Sequence, residues 1–351
     1  MTAPAQTGGA TPLLSLVVPA YNAQAYLDRA LTGLPAIAGV EVIVVDDGST
    51  DGTGTIADRW ATRHPEAVRV IHQRNRGHGG AINAGLADAR GTYVKILDAD
   101  DWLDHSALRA LLRDLRALRA SGDEVDAYFT DFVHERSGKT PRVARFDTVF
   151  PSGRTFTWDE TERFGRRHVL MMHAIVYRTA LLRRCGLVLP EHTFYVDNLF
   201  VVEPLAHVRR MRYLPVPLYR YFIGREGQSV APEVMVRRVD QQLRVTRLAI
   251  AALPPHESAA RGEVPAQLYR ALLHHVEGVC AVTSATLARG GTHAHMEQRH
   301  RFWRDVRSQS PWLYTRMRRT LIGTTSNLPG QAGRRATTLA YHVARRVVGF
   351  S

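Results

Sequence analysis

Carboxylates crowd into two short stretches of this 351-residue chain: Asp46-Asp47, inside Val45-Asp46-Asp47-Gly48-Ser49-Thr50-Asp51, and Asp98-Ala99-Asp100-Asp101. Each stretch directly follows an apolar run of strand character, Glu41 to Val45 and Tyr93 to Leu97. Both sets of acids are therefore expected at C-terminal ends of strands, the edge where open α/β sheets bind ligands. Alternate residues such as Asp98 and Asp100 can aim two oxygens the same way. That suits a hard divalent cation already bridging the phosphates of a nucleotide. A nucleotide-sugar site is the simplest chemistry these residues describe.

The elements that must carry the acids can be read from periodicity. Over the first hundred residues, short β-rich runs alternate with amphipathic helices, the pattern of a largely parallel sheet. Leu14 to Val18 reads as a strand ending at Pro19, and Asn22 as the cap of a helix whose Tyr26, Leu27, Ala30, Leu31 and Leu34 share a face. Val68 to Ile71 gives a further strand; the turn Gly77-His78-Gly79-Gly80 opens a helix through Ala89 that Gly91 ends. A long helix is expected from His105 to Ala120, with Leu108, Leu111, Leu112, Leu115 and Leu118 inward. Residues 126–150 read as extended around a turn at Arg136-Ser137-Gly138-Lys139, and 158–185 as mainly helical. Met211 to Phe222, with Pro215 and Pro217, reads as an edge strand or partly irregular segment. Beyond Pro232 the pattern is helical, with breaks at Pro254-Pro255, Gly290-Gly291, Pro311 and Leu328-Pro329-Gly330. The expected organisation is a flexible start over 1–12, an α/β catalytic domain over 13–231 and a helical, basic extension over 232–351.

Composition bounds the partners. Two cysteines, Cys185 and Cys280, nearly a hundred residues apart, exclude a disulfide framework or thiolate zinc site and point to a reducing cytoplasm. Residues 1–12 lack the basic start and apolar core of a signal peptide, and no segment has the unbroken apolar length of a membrane span. The formal charge of +13 is unevenly placed: residues 1–235 hold 28 Lys and Arg against 27 acids, whereas 236–351 hold 18 against 6. Within 298–351, eleven arginines are interleaved with Phe302, Trp303, Trp312, Tyr314, Tyr341 and Phe350. Basic and aromatic residues mixed on helices suit an anionic membrane surface, reached peripherally, better than nucleic acid. The same helices leave homo-oligomerisation open.

In order along the chain, Leu16-Val17-Val18-Pro19-Ala20-Tyr21-Asn22, Val44-Val45-Asp46-Asp47-Gly48-Ser49-Thr50-Asp51, Asn75-Arg76-Gly77-His78-Gly79-Gly80-Ala81-Ile82-Asn83-Ala84-Gly85 and Leu97-Asp98-Ala99-Asp100-Asp101 resemble the family 2 glycosyltransferases. The resemblance covers about residues 13 to 230. It implies the GT-A fold, inverting transfer and a bacterial cell-envelope role in polysaccharide or teichoic-acid synthesis. It places Pro19, Tyr21 and Asp47 around the nucleotide base, with Asp46 as the alternative direct ligand. It sets Gly77, His78 and Gly79 at the phosphates, Asp98 at the ribose or metal, and Asp100 on Mg²⁺ or Mn²⁺. The Gly77 to Gly80 turn has an ordinary helix-entry turn as its alternative reading.

Inverting transfer needs a base for the acceptor hydroxyl. The resemblance assigns that role to Asp197 in Phe194-Tyr195-Val196-Asp197-Asn198, although many relatives carry Glu-Asp where this chain has Val196-Asp197. An N-cap is the plainer role for that residue. Tyr219 to Val230 resembles a segment that folds over the donor, with Arg225 at the diphosphate and Gln228 or Ser229 at sugar or acceptor; an exposed loop with no catalytic part is the alternative reading. A Gln-x-x-Arg-Trp motif of processive members is absent, which favours single-sugar addition. His173 reads as a core histidine with an acceptor-side role as the alternative, and His274-His275 and His293-x-His295 read as surface pairs. The expected partners are a UDP-sugar, favoured over GDP or dTDP donors, and a glycan or lipid-linked acceptor at the inner face of the cell membrane. A non-catalytic membrane- or nucleic-acid-binding module on a degenerate fold is the competing reading. Nucleotidyltransferases and dehydrogenases fail at Pro19-Ala20-Tyr21-Asn22, which is not a glycine-rich phosphate loop.

Overall fold

The computed structural model describes residues 11–165, 168–224 and 228–319. Four strands, β1 (Leu14–Ala20), β2 (Val40–Asp46), β3 (Val68–His72) and β4 (Tyr93–Ile96), form the parallel half of the sheet in the order β3-β2-β1-β4. β1 and β2 are near-continuous apolar runs because both faces are covered, and Val42 to Val45 are wholly buried. The register pairs Ala20 with Asp46 and Asp46 with His72. These strands therefore end level, and the turns leaving them share one edge.

Helices α1 (Leu27–Leu31), α2 (Thr53–Arg63) and α3 (Gly77–Asp88) connect these strands. α1 is shorter than expected, because Asn22 does not cap it. Asn22 adopts a left-handed backbone (φ 48°) and its Oδ1 accepts Thr50 N at 2.9 Å, tying the β1 exit to the acidic turn instead. α3 lies close on β1: a Cβ on Gly85 would stand 2.2 Å from Val17 Cγ1.

A short β5 (Trp102–Leu103) leads into α4 (His105–Ser121), capped by Asp104 through Ser106 N and Ala107 N and ended by Gly122 at φ 69°. Then come β6 (Ala127–Arg136), β7 (Arg142–Ala144) and β8 (Thr155–Phe156). The mainly helical reading of 158–185 is corrected. Among the described residues there, only a 3-10 turn (Trp158–Glu160), a second one (Met172–Ala174) and α5 (Thr179–Arg184) are helical, and Ile175–Arg178 is strand β9. The β-prone Ile175-Val176-Tyr177 run is wholly buried between β4 and β6, antiparallel to both, so tertiary pairing decides it.

α6 (Asp197–Leu205) leads to β10 (Met211–Ile223), which is longer and more regular than its prolines imply. It pairs with β6 throughout, and the register shifts around Pro217 absorb the missing donors. The order is completed as β4-β9-β6-β10-β5.

The C-terminal part is helical as expected: α7 (Pro232–Arg237), α8 (Val239–Ala251), α9 (His256–Ala260), α10 (Ala266–Gly290), α11 (His293–Gln309) and α12 (Pro311–Arg318). Gly291 at φ 71° ends α10, and Pro311 opens α12. One apolar core runs from Leu13 to Met317, so these helices share the interior of the sheet region. No described helix is long and apolar enough to cross a membrane. The aromatics assigned to a membrane face are corrected in part: Phe302 and Trp303 are buried, and Trp312 stacks on His256 at 3.9 Å. Tyr341, Phe350 and the break at Leu328-Pro329-Gly330 lie outside the described residues.

Candidate active site

The β1 and β2 ends set the first wall. Pro19 is buried opposite Val45, while Tyr21, one step beyond β1, is 52% exposed. The two neighbouring acids hold different loops. Asp46 accepts Ser49 N at 3.1 Å and lies 2.9 Å from His72 Nδ1. Asp47 Oδ1 accepts Gln73 Nε2 at 2.6 Å and Arg76 N at 2.8 Å, bracing the entry to α3. Hydrogen bonds to Asp58 and then Asp46 raise the His72 pKa.

The β4 end forms the floor. Asp101 is buried, its Oδ1 accepting Phe222 N and its Oδ2 accepting Tyr219 Oη, both at 2.7 Å. Tyr219 Oη in turn accepts Asp98 N at 3.1 Å, so β10 fixes the acidic turn. Burial, then Asp100 and Asp98, push the Asp101 pKa well up. The Asp100 backbone oxygen accepts Arg29 Nη2 at 2.5 Å. Side-chain atoms of Asp98, Asp101 and His173 lie within 4.8 Å of one another. Both ring nitrogens of His173 are buried without a hydrogen-bond partner, and its ring stacks on Tyr219 at 4.4 Å. Carboxylates beside an imidazole fit a divalent cation. The group shares Asp98 with the expected pair, adds His173 and Asp101, and leaves Asp100 beside it.

Lys95 is wholly buried on β4, and burial lowers its pKa to about 7. Its Nζ donates to His173 O at 2.7 Å and Ile175 O at 3.2 Å, holding the histidine under the acids. Sequence reasoning misses Lys95 and Tyr219 as site supports. A lysine inside an apolar strand, in a chain with only one other lysine, is the available signal.

His78, in the first turn of α3, faces all of this. Its Nε2 is 3.5 Å from Asp98 Oδ1. Burial lowers its pKa, opposed by Asp197, Asp100 and Asp47. The glycines around it also make room for a neighbouring loop. A Cβ on Gly77 would stand 2.8 Å from the His192 backbone, and one on Gly79 2.4 Å from Pro190 O. They let the loop before α6 lie against α3.

That loop delivers Asp197 to the first residue of α6, where Val196 rather than Asp197 is the N-cap. Withdrawal from solvent raises the Asp197 pKa to about 6, with His78 opposing and Asp98 adding. A carboxylate poised near neutrality can take a proton and release it. Gln228 is buried and engaged within its own loop, accepting Gly224 N at 2.9 Å and donating to Phe222 O at 2.8 Å. Ser229 O accepts Tyr195 Oη at 3.1 Å. Arg225 lies outside the described residues. The surface reading of His274-His275 is corrected: both are partly buried, and His275 meets Asn198.

Comparison with known proteins gives a consistent pattern. Residues 15–184 match the model of Glycosyl transferase family 2. The uncharacterized glycosyltransferase EpsJ of Bacillus subtilis is 29% identical over 231 residues, 64% of each chain. The chain thus spans just under two thirds of that relative. A crystal structure of S. aureus TarS 1-349 in complex with UDP-GlcNAc superposes with a TM-score of 0.64 at 19% identity, over 95% of this chain and 92% of that one. The mannosyltransferase PcManGT from Pyrobaculum calidifontis, in complex with GDP-Man and Mn²⁺, gives 0.51 at 18% identity, over 98% and 88%. At such identities the structures establish a common fold.

Proposed function

We propose, on the premise that this chain belongs to Glycosyl transferase family 2 through residues 15–184, that it moves a sugar from a nucleoside-diphosphate donor to a hydroxyl with inversion. The observation that carries the reading is the convergence on His78. Asp98 approaches it, and Asp47, Asp100 and Asp197 all shift its titration. Acids from the turn after β2, from the β4 end and from α6 thus act on one histidine.

In this reading Asp47, on the His78 side of its pair, accepts from the base N–H, and the Tyr21 ring covers the base. His78 and the first turn of α3 face the diphosphate. Asp98 and Asp100, with His173 beneath, would hold Mg²⁺ or Mn²⁺, which supplies positive charge to the departing diphosphate. Asp197 takes the acceptor O–H proton as that oxygen bonds to the anomeric carbon; the carbon–phosphate-oxygen bond breaks, and its electron pair leaves with the nucleotide. A UDP-sugar is our choice of donor, supported by UDP-GlcNAc in the TarS complex; GDP-Man in PcManGT makes GDP the comparison to run. A cell-envelope acceptor and peripheral attachment to an anionic surface through the arginines beyond 300 complete the proposal, since Arg299, Phe302 and Trp303 are occupied in the core.

Thermal unfolding with UDP, GDP or dTDP, each with Mn²⁺ or chelator, tests the donor site, because a native-state ligand raises stability with concentration. A Mn²⁺-dependent shift with UDP that Asp100→Ala abolishes is the expected result. No shift with any nucleotide would overturn the reading in favour of a binding module.

A further inference from the structure

Residues 189–198, the segment that delivers Asp197, are held by parts of the chain remote in sequence. On one side α3 grips the segment: Arg76 O accepts His192 N at 2.8 Å, and Asn83 bonds both the N–H and the carbonyl of Leu189, at 3.0 and 2.9 Å. On the other side the C-terminal helices grip it. Gln241 Oε1 accepts Phe194 N at 2.8 Å, Arg244 Nη1 donates to Thr193 Oγ1 at 3.0 Å, and the Arg238 guanidinium lies 3.6 Å from the Phe194 ring centroid. Within the segment, His192 (φ 48°) and Tyr195 (φ 68°) have left-handed backbones. Residues with side chains keep such conformations only where surrounding contacts impose them.

The grip nearest the carboxylate comes from α10. His275 Nε2 lies 3.2 Å from Asn198 Oδ1, and Asn198 Nδ2 donates to Tyr195 O at 2.9 Å while reaching Asp197 Oδ1 at 3.4 Å. An amide oxygen only accepts, so this contact is a hydrogen bond in the tautomer that carries the ring proton on Nε2. That fixes Asn198 with its N–H₂ toward Tyr195 and Asp197. The groups facing Asp197 are His78, Asp98, Tyr195 and Tyr221; those facing His275 are His274 and the Leu170 carbonyl.

We propose that His275 is a positioning residue for sugar transfer: through Asn198 it sets the place of the Asp197 carboxylate, so that the C-terminal helices complete the catalytic site. This rests on Asp197 being the base. His275 stays neutral at working pH, because burial and His274 lower its pKa to about 4. The hydrogen bond therefore persists where the carboxylate titrates.

The test uses the full chain as wild type, His275→Ala, His275→Gln and Asn198→Ala. Three readouts are taken: UDP affinity with Mn²⁺ by calorimetry, UDP release from UDP-Glc, UDP-Gal, UDP-GlcNAc and UDP-GalNAc with water as acceptor, and amide exchange over 189–198. The expected result for His275→Ala is unchanged UDP affinity and donor KM, kcat for UDP release down about 10- to 100-fold, and faster exchange in 189–198. His275→Gln, which keeps an N–H donor, restores both rate and protection, and Asn198→Ala reproduces the loss. Wild-type rate and exchange in His275→Ala would overturn the proposal. So would equal damage in His275→Gln and His275→Ala with exchange raised throughout the protein, the mark of a packing role alone. If wild type releases UDP from none of the four donors, the transfer reading loses its donor, while the exchange data still decide whether His275 holds the segment.

Discussion

Tyr219 Oη donates to Asp101 Oδ2 at 2.7 Å and accepts Asp98 N at 3.1 Å, so one hydroxyl on β10 locks both ends of the acidic turn after β4. Tyr219→Phe keeps the ring stacked on His173 but leaves two buried polar groups without that partner. A loss of about 1–3 kcal/mol is expected in urea unfolding, together with weaker Mn²⁺-dependent UDP binding. An unchanged midpoint would show that the turn holds itself.

Asp197→Asn removes the base while keeping size and position. Transfer should fall about 10²- to 10⁴-fold, with UDP affinity preserved, as read by UDP release and calorimetry on the same preparation. Wild-type turnover in this variant would remove Asp197 from the mechanism.

The raised Asp197 pKa gives a pH dependence of definite sign. The base works as carboxylate, so kcat should climb as pH rises through about 6 and fall below it. On the acid side it should drop about tenfold per pH unit. A kcat profile flat down to the ordinary carboxylate range would mean that another group accepts the proton.

Gly79 offers a test in which two effects oppose each other. Alanine favours a helix over glycine by about 1 kcal/mol, yet here its Cβ would stand 2.4 Å from Pro190 O and 3.2 Å from Leu189 Cβ. Backbone cannot yield as a flexible side-chain tip does, so Gly79→Ala should destabilise by about 1–3 kcal/mol and slow transfer by shifting the Asp197 loop. A stabilised variant with normal transfer would mean that the loop is free to move.

Much of the parallel half is legible in the sequence because its strands are buried on both faces and its acids follow them directly: Glu41 to Val45 and Tyr93 to Leu97 declare strand and site together. The Asp197 loop is legible only through family resemblance. Nothing local signals that Leu189 will be held by Asn83 or Phe194 by Gln241, since those partners lie 106 and 47 residues away. β9 escapes a sequence reading because four residues of ordinary β character become a strand only through pairing with β4 and β6. His275 passes for a surface residue because two adjacent histidines on a helix point to different sides, and the sequence does not say that one side meets α6.

The dependence of residues 189–198 on helices later in the chain also has a meaning in time. A chain emerging from the ribosome folds from its N-terminus, so β1 to β4 and their acids can assemble while α8 and α10 are still unmade. If the proposed donor site is right, a nascent protein of this design would hold a nucleotide sugar before it used one. On the function proposed above, competence to transfer would arrive last, when the final helices dock and the carboxylate settles.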